Sequence, residues 1–198
     1  MILPHPPTDR QAFNHKADGF LKVDHGHRQL EWGYMNINRK LFVEDLIEDA
    51  HTEFKFYMFG RKVGRLVMIY NRYTEMSADA WITEDDEYFQ IVDMPTAVTS
   101  TQAKRPLPPA FEQALMLSKE IGKHFDHMRV DLLSNGKKLW FSELTVYNMS
   151  VHLPKLGHDP NHRFTTIWDI RKSWFLTAPQ TGWRGIYAGA LLRRLNAQ

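Results

Sequence analysis

Asp131 and Glu143 are two carboxylates set among apolar, strand-forming residues on either side of a Ser-Asn-Gly-Lys turn, in the stretch MRVDLLSNGKKLWFSELTVYN that begins at Met128. Alternate residues of a strand share a face, so Arg129 travels with Asp131, and Phe141 and Thr145 travel with Glu143. Whether the acids meet depends on the turn. A two-residue Asn135-Gly136 loop pairs Ser134 with Lys137 and puts the acids on opposite faces. A three-residue loop pairs Ser134 with Lys138, sets Asp131 opposite Phe141 and Arg129 opposite Glu143, and gathers all three charged groups on one surface. The pattern leaves both registers open. Two chemistries follow. In one, Glu143 is a solvated acid paired with Arg129. In the other, the two acids hold Mg²⁺, an ion that takes oxygen ligands at about 2.0–2.1 Å and is usually shared with substrate phosphates. Like charges on neighbouring strands repel unless a cation lies between them.

The elements that position these residues can be read around them. Phe111, Ala114, Leu115, Ser118, Ile121 and Phe125 recur at helical spacing after Pro109, which predicts a helix leading into the hairpin. Upstream, EFKFYMF alternates from Glu53, with Phe54, Phe56 and Met58 on one face. GRKVG then turns and RLVMIYNRY returns, which predicts an antiparallel hairpin. KLFVEDLI reads as a strand end or a helical turn. The opening LPHPPTDRQ reads as extended because of its prolines. GFLKVDHGHRQLEWG reads as a strand, a His-Gly-His turn and a returning strand. Residues 77–109 read as mostly irregular. IWDIRKSWFL and WRGIYAGALLRRLN read as C-terminal helices with basic ends.

Composition limits the alternatives. The chain of 198 residues is 43% hydrophobic and 13% aromatic, enough for a packed core. Its formal charge of +2 and the lack of a dense Lys/Arg run argue against a nucleic-acid partner. With no cysteine, disulfides, thiolate metal sites and cysteine nucleophiles are excluded, which fits a cytoplasmic setting. No apolar run is long enough to be a transmembrane segment.

Arg129-Val130-Asp131, Gly136-Lys137 and Phe141-Ser142-Glu143-Leu144-Thr145, following a helix, together resemble the C-terminal signature of the ATP-grasp superfamily, and within it the TupA-like (teichuronopeptide biosynthesis) group. The resemblance runs from about Phe20 to His152. It implies an α+β ATP-grasp fold, with two subdomains whose antiparallel sheets grip ATP. It implies ATP and Mg²⁺ as cofactors, with Asp131 and Glu143 binding the metal. Asn148 is the nearest amide for a third ligand, since Thr145 stands where most ATP-grasp enzymes have Asn. By the same resemblance Lys22, His25 and Gly26 would contact phosphates. Glu44, Leu46 and Ile47 would form the adenine hinge, and Glu53 would accept from ribose hydroxyls. Lys55, on an exposed side shared with Glu53, would reach a phosphate. Arg72 would clamp a phosphate or acyl phosphate, and Arg129 would stabilise the phosphoryl group or the substrate carboxylate.

The implied activity is a ligase that joins a carboxylate to an amine through an acyl phosphate, in cell-surface polysaccharide or polymer biosynthesis. The implied partners are small-molecule or polymer carboxylates and amines. A nucleotide-binding pseudoenzyme or scaffold is the alternative, favoured by two departures. The loop Asp24-His25-Gly26-His27 has one glycine where the family has more, and the α/β domain that usually precedes the grasp is expected to be missing, since only about twenty residues precede Phe20. A homo-oligomer or a partner protein would then supply that wall. The expected organisation is an extended segment over 1–19, the ATP-grasp domain over 20–160 and a helical extension packed on it over 161–198. His158 and His162 have the spacing of a helical metal pair, but Pro160 between them argues for a loop. The Trp, Tyr and Arg content of the last segment also permits a membrane-surface or partner-binding role.

Overall fold

A computed structural model of the chain describes residues 8–23, 26, 31–35, 37–83, 89–92, 105–148 and 166–197, with backbone only at 32 and 89–92. The chain divides into two compact units, Met1–Glu48 with Tyr147–His152, and Asp49–Val146 with Leu153–Gln198.

In the first unit a helix, α1 (Arg10–Lys22), replaces the strand expected around Phe20 and Lys22. Asp9 caps it, its carboxylate accepting from Ala12 N at 2.9 Å. Phe13, Ala17, Phe20 and Leu21 carry the helical spacing inside it. The prolines just upstream and Gly19 within mask that signal in the sequence. Arg39 donates to the Leu21 carbonyl at 3.0 Å, placing a cation at the helix's C-terminal end. The returning strand is also replaced, by a 3-10 turn at Trp32–Tyr34. Gly33 N donates to the Tyr147 hydroxyl at 3.1 Å, and the Tyr34 and Tyr147 rings meet edge to face at 5.2 Å.

The second unit is built on a six-stranded antiparallel sheet, order β4-β3-β2-β1-β5-β6. The strands are β1 (Thr52–Phe59), β2 (Lys62–Tyr70), β3 (Ser77–Thr83), β4 (Phe89–Val92), β5 (Met128–Ser134) and β6 (Leu139–Thr145). The expected hairpins β1–β2 and β5–β6 are present, and the helix between them is α2 (Phe111–Gly122). β3 and β4 fall in the stretch read as irregular. The small and acidic residues of SADAWIT hide a strand whose side chains are nearly all buried beside β2. IWDIRKSWFL does not form one helix. A 3-10 turn at Ile170–Lys172 ends at Ser173, whose hydroxyl caps the short α3 (Trp174–Thr177). α4 (Gly182–Asn196) closes the described chain.

Every residue of β1 is buried, because it is central and covered on both faces. One face carries Phe54, Phe56 and Met58, which pack with Leu66, Met68, Val130 and Leu132 under Phe111, Ala114 and Leu115 of α2. Fully burying such side chains stabilises by about 1.5–3 kcal/mol each. Gly122 lets the end of α2 settle on the sheet, since a Cβ there would lie 2.5 Å from the Gly60 carbonyl. No helix among the described residues is long and apolar enough to cross a membrane.

Candidate active site

The opposite face of the sheet carries the residues with chemistry. β1 contributes Glu53, Lys55 and Tyr57, one residue out of step with the core positions. In β5, Leu133, Asp131 and Arg129 lie directly opposite these three. Lys55 therefore faces Asp131 across the strand pair.

The register of β5–β6 differs from both expected versions. Ser134 pairs with Leu139, leaving a four-residue loop, Asn135 to Lys138. Side chains fix this loop. Asn135 Oδ1 accepts from Lys137 N at 3.1 Å and Lys138 N at 2.9 Å. Ser134 Oγ accepts from Gly136 N at 2.9 Å and donates to the Lys138 carbonyl at 2.9 Å. Gly136 supplies the left-handed backbone, φ 91°. That register alone would send Glu143 to the core face. The pairing shifts between Leu132, opposite Phe141, and Asp131, opposite Glu143, so Ser142 is the extra residue of a bulge. The bulge turns Glu143 back onto the Asp131 face. The acids meet, as the three-residue reading required, but by a different device, and Arg129 faces Thr145 rather than Glu143.

Six charged groups form one chain of contacts. Arg72 Nη2 lies 2.9 Å from Glu53 Oε2, and Glu53 Oε1 lies 2.6 Å from Lys55 Nζ. Lys55 Nζ also donates to Asp131 Oδ2. Arg129 donates to both Asp131 oxygens at 2.7 Å and to Glu143 Oε1 at 2.7 Å. Thr145 Oγ1 donates to the same Glu143 oxygen at 3.2 Å. Three acids balance three cations, so burial is tolerated. Lys55 and Glu53 share a side, as expected, but that side is buried at 8% and 6% exposure, because each has an ionic partner within the layer. Burial opposes the charge on Arg129, but the hydrogen bonds and charge of Asp131 outweigh it and hold the guanidinium above its usual value.

The cation between Asp131 and Glu143 is thus a guanidinium. Asp131 is fully buried with both oxygens engaged, whereas the Glu143 side chain is 56% exposed. Among the described residues no hydrogen bond engages Glu143 Oε2, and no group of three or more His, Asp or Glu could hold a metal. Two hard carboxylates that meet across a strand pair, one buried and one reachable, do fit Mg²⁺. That ion is typically held by one or two carboxylates, with phosphates and waters completing the shell.

Of the other expected site residues, Lys22 ends α1, and Glu44 and Leu46 are exposed in a segment without helix or strand, with Ile47 half-buried. Gly26 is buried, and a Cβ there would lie 2.7 Å from the Met35 side chain. Asn148 is buried beside Tyr147 in the chain. All of these belong to the first unit, and Glu53, Lys55, Arg72, Arg129, Asp131 and Glu143 to the second. His25, with Asp24 and His27 of the phosphate loop, and the pair His158 and His162 lie outside the described residues.

Two residues of the polar face escaped the sequence reading. Tyr57 lies between Arg129 and Arg65, directly opposite both. Arg65 is 8% exposed, and its Nε is buried without a hydrogen-bond acceptor among the described residues. Burial pushes this guanidinium below its usual value, and Tyr57 partly offsets that. The signal was available, since Tyr57 follows Lys55 by two and the GRKVG turn brings Arg65 opposite it.

The family model of TupA-like ATP-grasp proteins matches residues 16–155, well over half of the chain, and the chain belongs to that family. No curated protein and no solved structure matches it. Membership carries the α+β ATP-grasp fold and suggests an ATP-dependent function of the ligase type.

Proposed function

We propose that the protein is an ATP- and Mg²⁺-dependent ligase that activates a carboxylate by phosphorylation and joins it to an amine, in the making of a cell-surface polysaccharide or polymer. The observation that carries this is the meeting of Asp131 and Glu143 across a bulge, within a layer of lysine and arginine, in a chain of the TupA-like family. Asp131 and Glu143 would hold Mg²⁺, with Asn148 as a further ligand. The metal, when bound, supplies electrophilic neutralisation of phosphate charge. Lys55, Lys22 and Arg72 bind phosphate oxygens, and Arg129 orients the phosphoryl group or the acceptor carboxylate with its planar fork. His25 and Gly26 belong to the phosphate loop, Glu44, Leu46 and Ile47 to the adenine hinge, and Glu53 to the ribose. The protein's work is positioning and electrostatic stabilisation of a transferring phosphoryl group.

A second reading has a specific observation in its favour. The charge layer is already neutral, with Asp131 saturated by Arg129 and Lys55. A nucleotide-binding scaffold without ligase activity needs no more. Calorimetric titration of ATP with and without Mg²⁺, alongside ADP release in the presence of pooled carboxylates and amines, separates the two. Mg²⁺-dependent binding with acceptor-stimulated ADP release supports the ligase. Binding without turnover supports the scaffold, and no nucleotide binding refutes both.

A further inference from the structure

Residues 166–197 carry chemistry that a nucleotide site does not use. α4 is apolar on two sides. Ala188 is buried, and Leu191, Leu192 and Leu195 are half-buried, so this stripe turns inward. The opposite stripe is apolar too, yet open to solvent. Trp183 is 71% exposed, Ile186 77% and Tyr187 54%. Trp174 on α3, 56% exposed, is linked to this region by the Phe175 and Tyr187 rings, whose centroids are 6.0 Å apart. Large aromatic side chains are usually covered in a soluble domain, and a cluster left open marks an interaction surface.

Charge says what the surface fits. α4 contains three arginines and no acid. Arg184 lies over the Trp183 ring at 5.7 Å, and Arg193 and Arg194 close the last turn. Over 166–197, five Lys and Arg stand against one acid, Asp169, which is itself paired with Arg171. This segment is therefore +4 in a chain whose formal total is +2, so the remainder is net negative. Positive charge is concentrated where the exposed Trp, Tyr and Ile are.

We propose that the outer face of α4 docks on the surface of an anionic bilayer. Its Trp and Tyr rings suit the depth of the headgroups, and its arginines suit lipid phosphates. A second copy fits less well, because a two-fold pairing of this face would bring Arg193 and Arg194 towards like charges. The surface lies outside the proposed nucleotide site, so its failure and the failure of the ligase reading are separate results.

The test uses the full chain and vesicles of phosphatidylcholine alone or mixed with phosphatidylglycerol. Cosedimentation is expected with the mixed vesicles and not with the neutral ones. It should weaken as salt shortens the Debye length from about 30 Å at 0.01 M to about 10 Å at 0.1 M. Arg193→Gln with Arg194→Gln should lower partitioning by about 10-fold or more. Trp183→Ala with Ile186→Ser should remove it, with the thermal melt and nucleotide binding unchanged. The proposal is overturned if the folded chain ignores anionic vesicles at low salt, or if it binds neutral ones equally. It is also overturned if sedimentation shows a dimer that Trp183→Ala dissociates.

Discussion

Phe54, Phe56 and Met58 leave β1 on one side and enter a dry core beneath α2. Glu53, Lys55 and Tyr57, one step out of phase, leave on the other and enter a layer of ion pairs. Both rows are almost wholly buried. The energetics differ. The apolar row stabilises roughly in proportion to the area it removes from water. The charged row gains little over well-packed apolar residues of the same volume, because desolvation offsets the Coulomb attraction. Stability alone gives no reason to bury Glu53, Lys55, Arg65 and Asp131 on one face, whereas binding a phosphate-bearing ligand does. The comparison separates what holds this sheet together from what it is for.

Phe56→Ala should have the largest effect on folding, costing about 4 kcal/mol in urea unfolding through loss of burial and the cavity left behind. Nucleotide affinity, measured where the variant is still folded, should be unchanged. Lys55→Met strikes the other row. It leaves Asp131 and Glu53 one cation short in a buried layer, and should cost about 3 kcal/mol while also weakening ATP binding. A Lys55→Met protein that loses only stability, or only binding, would break the distinction drawn between the faces.

Arg65→Met should move the other way. This guanidinium is buried, with no acceptor for its Nε among the described residues, so its removal should raise the unfolding free energy by about 1 kcal/mol. A loss of stability would show that Arg65 is an ordinary structural cation. Glu143→Gln should be nearly silent in unfolding, within about 0.5 kcal/mol, because its side chain is 56% exposed. Its effect should appear only as lost Mg²⁺ dependence of nucleotide binding.

The smallest effect concerns His127, which stacks on Phe59 at 4.5 Å, meets Trp168 in a tilted contact at 5.8 Å and shares a 2.8 Å hydrogen bond with the Met58 carbonyl. Burial lowers its pKa, and the Met58 bond partly restores it. The unfolded chain therefore binds a proton that the folded chain resists. This contribution is present above the ordinary histidine value of about 6.5 and is lost as pH falls through the folded value. His127→Phe should flatten the slope of stability with pH below that point.

Much of this was legible in the sequence. The core hairpin showed because Phe54, Phe56 and Met58 alternate without interruption, and α2 because its apolar residues keep a helical period. β3 did not show, because Ser77, Ala78, Asp79 and Ala80 resemble a loop until β2 covers them. α1 was hidden by the prolines before Asp9. The meeting of the two acids could be posed as a question of register but not answered. Counting from the Asn-Gly turn allows the two-residue and three-residue loops, yet the protein uses four residues and then restores the face with a bulge at Ser142. The decision rests on hydrogen bonds from Asn135 and Ser134 that no alternation pattern encodes. Arg65 was overlooked because its meaning lies in a different pairing, the β1–β2 register that sets it opposite Tyr57.

On the proposed ligase reading, Asp131 and Glu143 would exchange their guanidinium neighbour for a metal when nucleotide binds. A crystal structure with a non-hydrolysable ATP analogue and Mn²⁺, read by its anomalous signal, tests this directly. The account predicts a manganese peak touching both carboxylates and the nucleotide phosphates, with Arg129 turned from Glu143 towards the phosphate. Nucleotide bound with Arg129 still bridging the two acids, and the metal elsewhere or not retained, would contradict it.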